Sequence, residues 1–361
     1  MSEARRHILP FFIPHLGCPN QCIFCEQHKI AGQNLPPTPG QVAEILSRLA
    51  PQASSKPEVA FYGGSFTAIP RDMQISYLSA AKQAFAAGRI SGIRLSTRPD
   101  AVDESELELL REYGVGTVEL GVQSMTDEVL SLARRGHTAS DSLAAVKRLK
   151  AWGFVCGIQL MPGLPGETAT GAVQGAAQIL SLKPDLLRIY PMVVVAGTEC
   201  ERMYRMGDFL PLSLEEAVRI CLNITLLAEA AGTTVIRTGL QPTEDLAREV
   251  VAGPYHPAFG ALVQELRWRH KLLYALQRLP QAVECFVNRR DIAALVGYRR
   301  QNLAYYKPGL RIRGAELAPG ALRLLASDGS DFVLTEMAFR KFWLSGLAGA
   351  DACVLPPDLI K

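Results

Sequence analysis

No apolar stretch in this 361-residue chain is long enough to span a bilayer. A secretory leader is also lacking: Arg5-Arg6 precede an apolar run, but Pro10, Pro14 and His15 interrupt it and no small-residue cleavage site follows. The eight cysteines are too few for a disulfide scaffold at this length. Cys156, Cys200, Cys221, Cys285 and Cys353 stand singly, mostly in apolar surroundings, where buried thiols are expected. A strong excess of either charge is lacking as well, with 38 Lys/Arg against 35 Asp/Glu and a net +3 that by itself says little about partners. These absences predict a cytoplasmic protein in a reducing compartment. The apolar fraction of 48% and charged fraction of 20% are ordinary for a globular chain. The length suffices for one large α/β domain plus a smaller one.

What is present is concentrated. The remaining cysteines form Cys18-Pro19-Asn20-Gln21-Cys22-Ile23-Phe24-Cys25, a C-x3-C-x2-C loop following a short apolar run. Three thiolates in so tight a loop converge on one small inorganic object. A cubane iron–sulfur cluster held by cysteine alone takes four, one per iron. With three, one iron stays open for a small molecule, as a catalytic zinc keeps a free position. S-adenosylmethionine (SAM) fits that opening through its amino and carboxylate groups. An electron from the cluster then cleaves its C–S bond and releases a 5′-deoxyadenosyl radical. Two other readings stay open at this point: a zinc site completed by His15 or His28, and a thiol redox pair at Cys22/Cys25.

Strand-like runs are expected at residues 8–13, 58–62, 92–97, 117–121, 154–160 and 185–190, with a further one at 233–237. Helical periodicity falls between them at 41–49, 71–87, 103–112, 141–152, 168–181 and 213–230, the first with Thr38 as N-cap before Pro39. Such alternation predicts parallel βα units and a closed or partial barrel. Gly63-Gly64-Ser65-Phe66-Thr67, Ser96-Thr97-Arg98-Pro99-Asp100, Gln123 and the 161–168 stretch sit where strands end. Ligands bind at that end of parallel sheets, so these segments are expected to ring the same mouth as the cysteine loop. Ser65 and Thr67 would add hydroxyls there. Each segment alone also has a plain reading: a tight turn, a helix cap at Thr168, or a solvated pair at Arg134 and Arg135.

Taken together, Gly63-Gly64-Ser65-Phe66-Thr67, Thr97-Arg98-Pro99-Asp100, Val118-Glu119-Leu120-Gly121-Val122-Gln123-Ser124, Arg135-Gly136-His137-Thr138 and residues 161–168 resemble the radical-SAM core of the elongator catalytic-subunit family. Arg188-Ile189-Tyr190-Pro191 and Gly197-Thr198-Glu199 extend the match, which runs in order from about Cys18 to Asp208. The oxygen-independent coproporphyrinogen oxidases are more distantly similar. The resemblance implies an α/β fold: a partial TIM-like (β/α) radical SAM barrel with a smaller C-terminal α/β domain. It implies a [4Fe-4S] cluster on Cys18, Cys22 and Cys25, and a SAM amino group bound by the backbone of Gly63, Gly64 and Ser65. By the same resemblance Gln123 contacts the ribose, Arg135 pairs with the SAM carboxylate, and Gly163 to Gly166 pack near the adenine with Phe24 along its edge. An electron donor such as flavodoxin or ferredoxin would follow. Three departures stand out. Ser96 occupies a position where relatives often place a ribose-binding glutamate, and the cysteine spacing is tighter than in the elongator subunit. Acetyl-CoA-dependent chemistry is not expected to carry over, since no room for an acetyltransferase domain is read in the chain.

Residues 1–250 are thus expected to form the radical SAM barrel and 251–361 a small basic domain. Between residues 265 and 320 eleven Lys/Arg face four Asp/Glu, so the rest of the chain is net acidic. That asymmetry predicts a polyanionic partner. Strand, helix, turn at Gly297-Tyr298-Arg299-Arg300, helix and two strands are similar to a KH-type RNA module, although Arg300 stands where its second glycine would be. An equally simple reading is a small α/β cap with a solvated basic face. RNA, in particular tRNA, is the expected substrate. The alternatives are radical oxidation of a small anionic metabolite and a non-catalytic cluster-bearing protein.

Overall fold

The structure is a computed structural model that describes residues 7–14, 16–26, 35–51 and 55–347. His15 and His28, weighed above as zinc ligands, and Cys353 lie outside the described residues. Seven parallel strands build the main sheet: β1 (Ile8–Ile13), β2 (Glu58–Gly63), β3 (Gly92–Thr97), β4 (Val115–Gln123), β5 (Val155–Leu160) and β6 (Leu186–Ile189), followed on the far edge by β8 (Thr234–Thr238). Between the last two, a short β7 (Val194–Val195) pairs antiparallel with β9 (Val250–Ala252). Spatial order equals chain order, and β1 and β8 are not paired with each other, so the sheet is a partial barrel.

Alternation along the strands sets its two faces. Val59 and Phe61 of β2 point outward into the helical layer, where Phe61 meets Tyr77 of the Arg71–Ala86 helix at a ring distance of 5.6 Å. Their neighbours Glu58 and Tyr62 point inward. Helix starts are fixed by side-chain caps: Thr38 and Gln41 form a capping box, as do Thr138 with Asp141 and Ser213 with Glu216. Thr168 caps the Ala169–Leu180 helix through the Gly171 amide. Cys156, Cys200, Cys221 and Cys285 are buried free thiols, as expected.

The Phe259–Arg278 helix packs on the Leu214–Ala231 helix and carries a second sheet. Its order is β11-β10-β12-β13, formed by β10 (Ala282–Asn288), β11 (Arg311–Ala315), β12 (Leu322–Ala326) and β13 (Asp331–Leu334), before a Glu336–Leu347 helix. The Trp343 indole donates to Asn223 Oδ1 at 2.8 Å, pinning that helix to the Leu214–Ala231 helix. One apolar core runs from Phe11 to Trp343. The two helices expected on either side of the Gly297 turn are altered: the first runs only over Ile292–Val296, and the second is part of a 3-10 stretch, Tyr298–Tyr305, with Arg299 and Arg300 left-handed. Among the described residues, no helix is long and apolar enough to cross a membrane.

Candidate functional site

The cysteine loop leaves β1 and lies on the end of β2. Gly64 N donates to Ile13 O and Ser65 N to Leu16 O, both at 3.0 Å. A Cβ on Gly64 would sit 2.0 Å from Leu16 O, and one on Gly17 2.3 Å from Ser65 O. The glycines therefore permit backbone contact between the two segments. The Gly64 and Ser65 amides are thus spent inside the chain. Cys18 Sγ lies 3.7 Å from Ser65 Oγ. Thr67, expected at the mouth, instead turns into the core: its hydroxyl contacts Thr97 Oγ1 at 2.6 Å and donates to Ala101 O.

Arg134 and Arg135 part company. Arg134 is exposed, whereas Arg135 is buried, which removes the reading of a solvated pair. Arg135 Nη1 lies 3.2 Å from Cys22 Sγ, and Nη2 donates to Gly121 O at 2.7 Å. Its Nε is buried without a partner among the described residues. Its carbonyl accepts from Arg98 Nη2 at 2.5 Å and Asn20 Nδ2 at 3.3 Å. Arg98 is itself held by both carboxylate oxygens of Asp100 at 2.9 Å. Sequence reasoning assigned no role to Asn20 or Arg98. Asn20 inside the cysteine loop and Arg98 in the strand-end run were the available signals. Burial and the neighbouring Arg135 push His137 down to about 4, so its ring is neutral at neutral pH.

Gln123 ends β4 with φ +70°; its side chain accepts from Gln159 Nε2 at 3.1 Å. Ser96 is half-buried on β3, in register with Glu119. Gly163 and Gly166 are left-handed, and Gly163 N donates to Glu167 Oε2 at 2.9 Å, while Ser124 Oγ donates to Oε1 at 2.6 Å. Burial raises the Glu167 carboxyl to about 7 against these bonds. Phe24 is buried in a small apolar cluster with Leu164, Met192, Val194 and Cys200.

Inside the sheet lies a charged cluster that the sequence reading did not assemble. Arg94 bridges Glu58 at 2.6 Å and Glu119 at 3.1 Å. Arg188 meets Glu119 at 2.5 Å and the Tyr62 hydroxyl at 2.9 Å, and that hydroxyl donates to Glu119 Oε1 at 2.7 Å. Burial pushes the Glu119 carboxyl up, but Arg188, Tyr62 and Arg94 outweigh it and hold it below its ordinary range.

Among the described residues, no three His, Cys, Asp or Glu side chains are gathered closely enough for one metal ion. Cys18, Cys22 and Cys25 form no disulfide with one another. A cubane is larger than one ion and takes each thiolate on a different iron. The donor set, with an arginine whose buried Nε lacks a partner beside it, fits such a cluster and an anionic ligand.

The Radical SAM superfamily profile matches residues 12–172, and a Radical_SAM C-terminal domain profile matches residues 184–268. A tRNA uridine(34) acetyltransferase of Methanocaldococcus jannaschii is 32% identical over 185 residues, covering 50% of this chain and 34% of that protein. An uncharacterised protein of the same organism is 30% identical over 227 residues, covering 57% of this chain and 67% of its own length. The chain thus spans about a third of that acetyltransferase. The solved archaeal Elp3 of Methanocaldococcus infernus superposes with a TM-score of 0.55 at 23% identity, over 75% of this chain and 64% of that one. It has the same fold. The chain belongs to the radical SAM superfamily, whose members use a [4Fe-4S] cluster and SAM.

Proposed function

We propose that the protein is a radical SAM enzyme that modifies tRNA. The observation that carries this reading is Arg135, whose buried guanidinium bridges the Cys22 thiol and the end of β4, so that cysteine loop and strand ends make one site. When bound, the cluster and SAM supply reductive C–S cleavage and a radical that takes hydrogen from the substrate.

The chain's own part is positional. Cys18, Cys22 and Cys25 would hold the cluster. Arg135, anchored through its carbonyl by Arg98 and Asn20, presents its guanidinium to the SAM carboxylate. The carbonyls of Gly63, Gly64 and Ser65 accept from the amino group. Gln123 and Ser96 would contact the ribose, and the Gly163–Gly166 turn with Phe24 would border the adenine. The Arg94–Glu119–Arg188 cluster stiffens the sheet beneath them. Residues 1–250 carry this machinery and residues 251–361 face the substrate.

The tRNA assignment is supported by the relatives named for tRNA uridine(34) acetylation. Their acetyl transfer is not taken over, because the chain aligns with between 25% and 50% of their length. The test compares modified nucleosides in tRNA from cells with and without the gene, by mass spectrometry. Loss of one modified nucleoside, restored by the wild-type gene and not by Cys22→Ala, is expected. Identical nucleoside profiles, with SAM cleavage stimulated by a small carboxylate instead, would replace tRNA by an anionic metabolite.

A further inference from the structure

The basic excess between residues 265 and 320 is divided by the structure. Arg267 and Lys271 are spent on Glu229 and Glu336 in the interior, and Arg311 and Arg313 share Glu284. Arg299 and Arg300 are exposed, and no ion pair holds either among the described residues. Both have left-handed backbone, at φ 48° and 62°, which side-chain-bearing residues adopt only when the surroundings impose it.

Those surroundings are specific. Asn302, fully buried, donates through Nδ2 to Glu265 O at 3.0 Å and Leu295 O at 3.2 Å, and accepts from Arg269 Nε at 2.9 Å. Gly297 lies against it, where a Cβ would be 3.0 Å from Asn302 Cγ. The loop is locked from beneath. Its outer side shows two large rings, Tyr298 at 58% exposure and Tyr305 at 55%. A guanidinium lies over each: Arg299 at 5.2 Å from the Tyr298 centroid, Arg269 at 4.0 Å from that of Tyr305.

Exposed rings on a rigid turn, interleaved with arginines that lack acidic partners, suit a ligand with flat π-faces and regularly spaced anions. Single-stranded nucleic acid has both; in a duplex the faces are already stacked. We propose that residues 297–305 form a stacking platform for a single-stranded RNA segment, with Tyr298 and Tyr305 taking bases and Arg299 and Arg300 taking phosphates. This rests on the RNA reading above and names where an unpaired stretch of the substrate would lie.

The test uses the full chain and fluorescence anisotropy with a uridine dodecamer, an RNA duplex of equal length and unfractionated tRNA, across a sodium chloride series. Wild type should bind the dodecamer more tightly than the duplex. Tyr298→Ala with Tyr305→Ala should weaken dodecamer binding roughly ten-fold or more with the salt slope kept. Tyr298→Phe with Tyr305→Phe should bind like wild type, since the rings remain. Arg299→Gln with Arg300→Gln should flatten the log-affinity against log-salt slope by roughly 0.7 per contact. If tRNA binds and the alanine and glutamine variants match wild type, the platform is overturned while the tRNA reading stands. If wild type binds none of the three RNAs, both fall.

Discussion

Arg135 and its neighbour show how much one position decides. Two adjacent arginines are indistinguishable by type, yet one is exposed and the other is buried against Cys22. Arg135→Ala is therefore predicted to weaken SAM binding by about 2–5 kcal/mol, the cost of leaving a desolvated carboxylate unpaired, with iron content unchanged. Isothermal titration under anaerobic conditions measures it, and wild-type affinity would remove Arg135 from the site. Glu119 makes a second case at this scale. It is the shared acid of Arg94 and Arg188, so Glu119→Ala leaves two buried guanidiniums short of their partner. A loss of about 3–5 kcal/mol in denaturant unfolding is expected. A loss under ~1 kcal/mol would mean that solvent reaches the cluster.

At the scale of elements, the seating of the cysteine loop on β2 depends on backbone contact. Gly64→Ala places a methyl on Leu16 O, and the variant is predicted to retain its helical circular dichroism while taking up less iron on reconstitution. Full iron uptake would show that the loop has slack. The 161–168 turn carries a pH signature. Glu167 titrates near 7 in the folded chain and near 4.5 unfolded, so between these values the folded state binds the extra proton. Its contribution is present below about pH 4.5 and is lost as pH rises through 7, on the order of 1–3 kcal/mol. Relative to Glu167→Gln, wild type should lose stability across that window in pH-dependent melting; parallel curves would contradict it. The strands of the barrel were legible because each is a short apolar run bounded by glycine or polar loops. Gly92–Thr97 matches to the residue, and the other main-sheet strands lie within about two residues of expectation. The Phe259–Arg278 helix was not legible. Its buried side includes Glu265, Arg267, His270 and Lys271, which blur the apolar period. The Glu58–Arg94–Glu119–Arg188 cluster was invisible for a different reason: its members come from four strands, and only the register brings them together.

For the whole molecule, one continuous core ties the C-terminal sheet to the barrel, through Trp343 on Asn223 and Arg267 between Glu229 and Glu336. The chain's net charge of +3 hides an uneven distribution, and the structure pairs Arg267 and Lys271 in the interior while most basic side chains between residues 265 and 320 stay exposed. The central claim, however, concerns the cysteine loop. The most direct measurement is 5′-deoxyadenosine formed by anaerobically reconstituted protein with SAM and dithionite, set against bound iron. Wild type should carry about four irons per chain and release 5′-deoxyadenosine, while Cys18→Ala with Cys22→Ala and Cys25→Ala should lose both. A triple variant that keeps its iron and its product, or a fully loaded wild type that cleaves no SAM, would contradict the account.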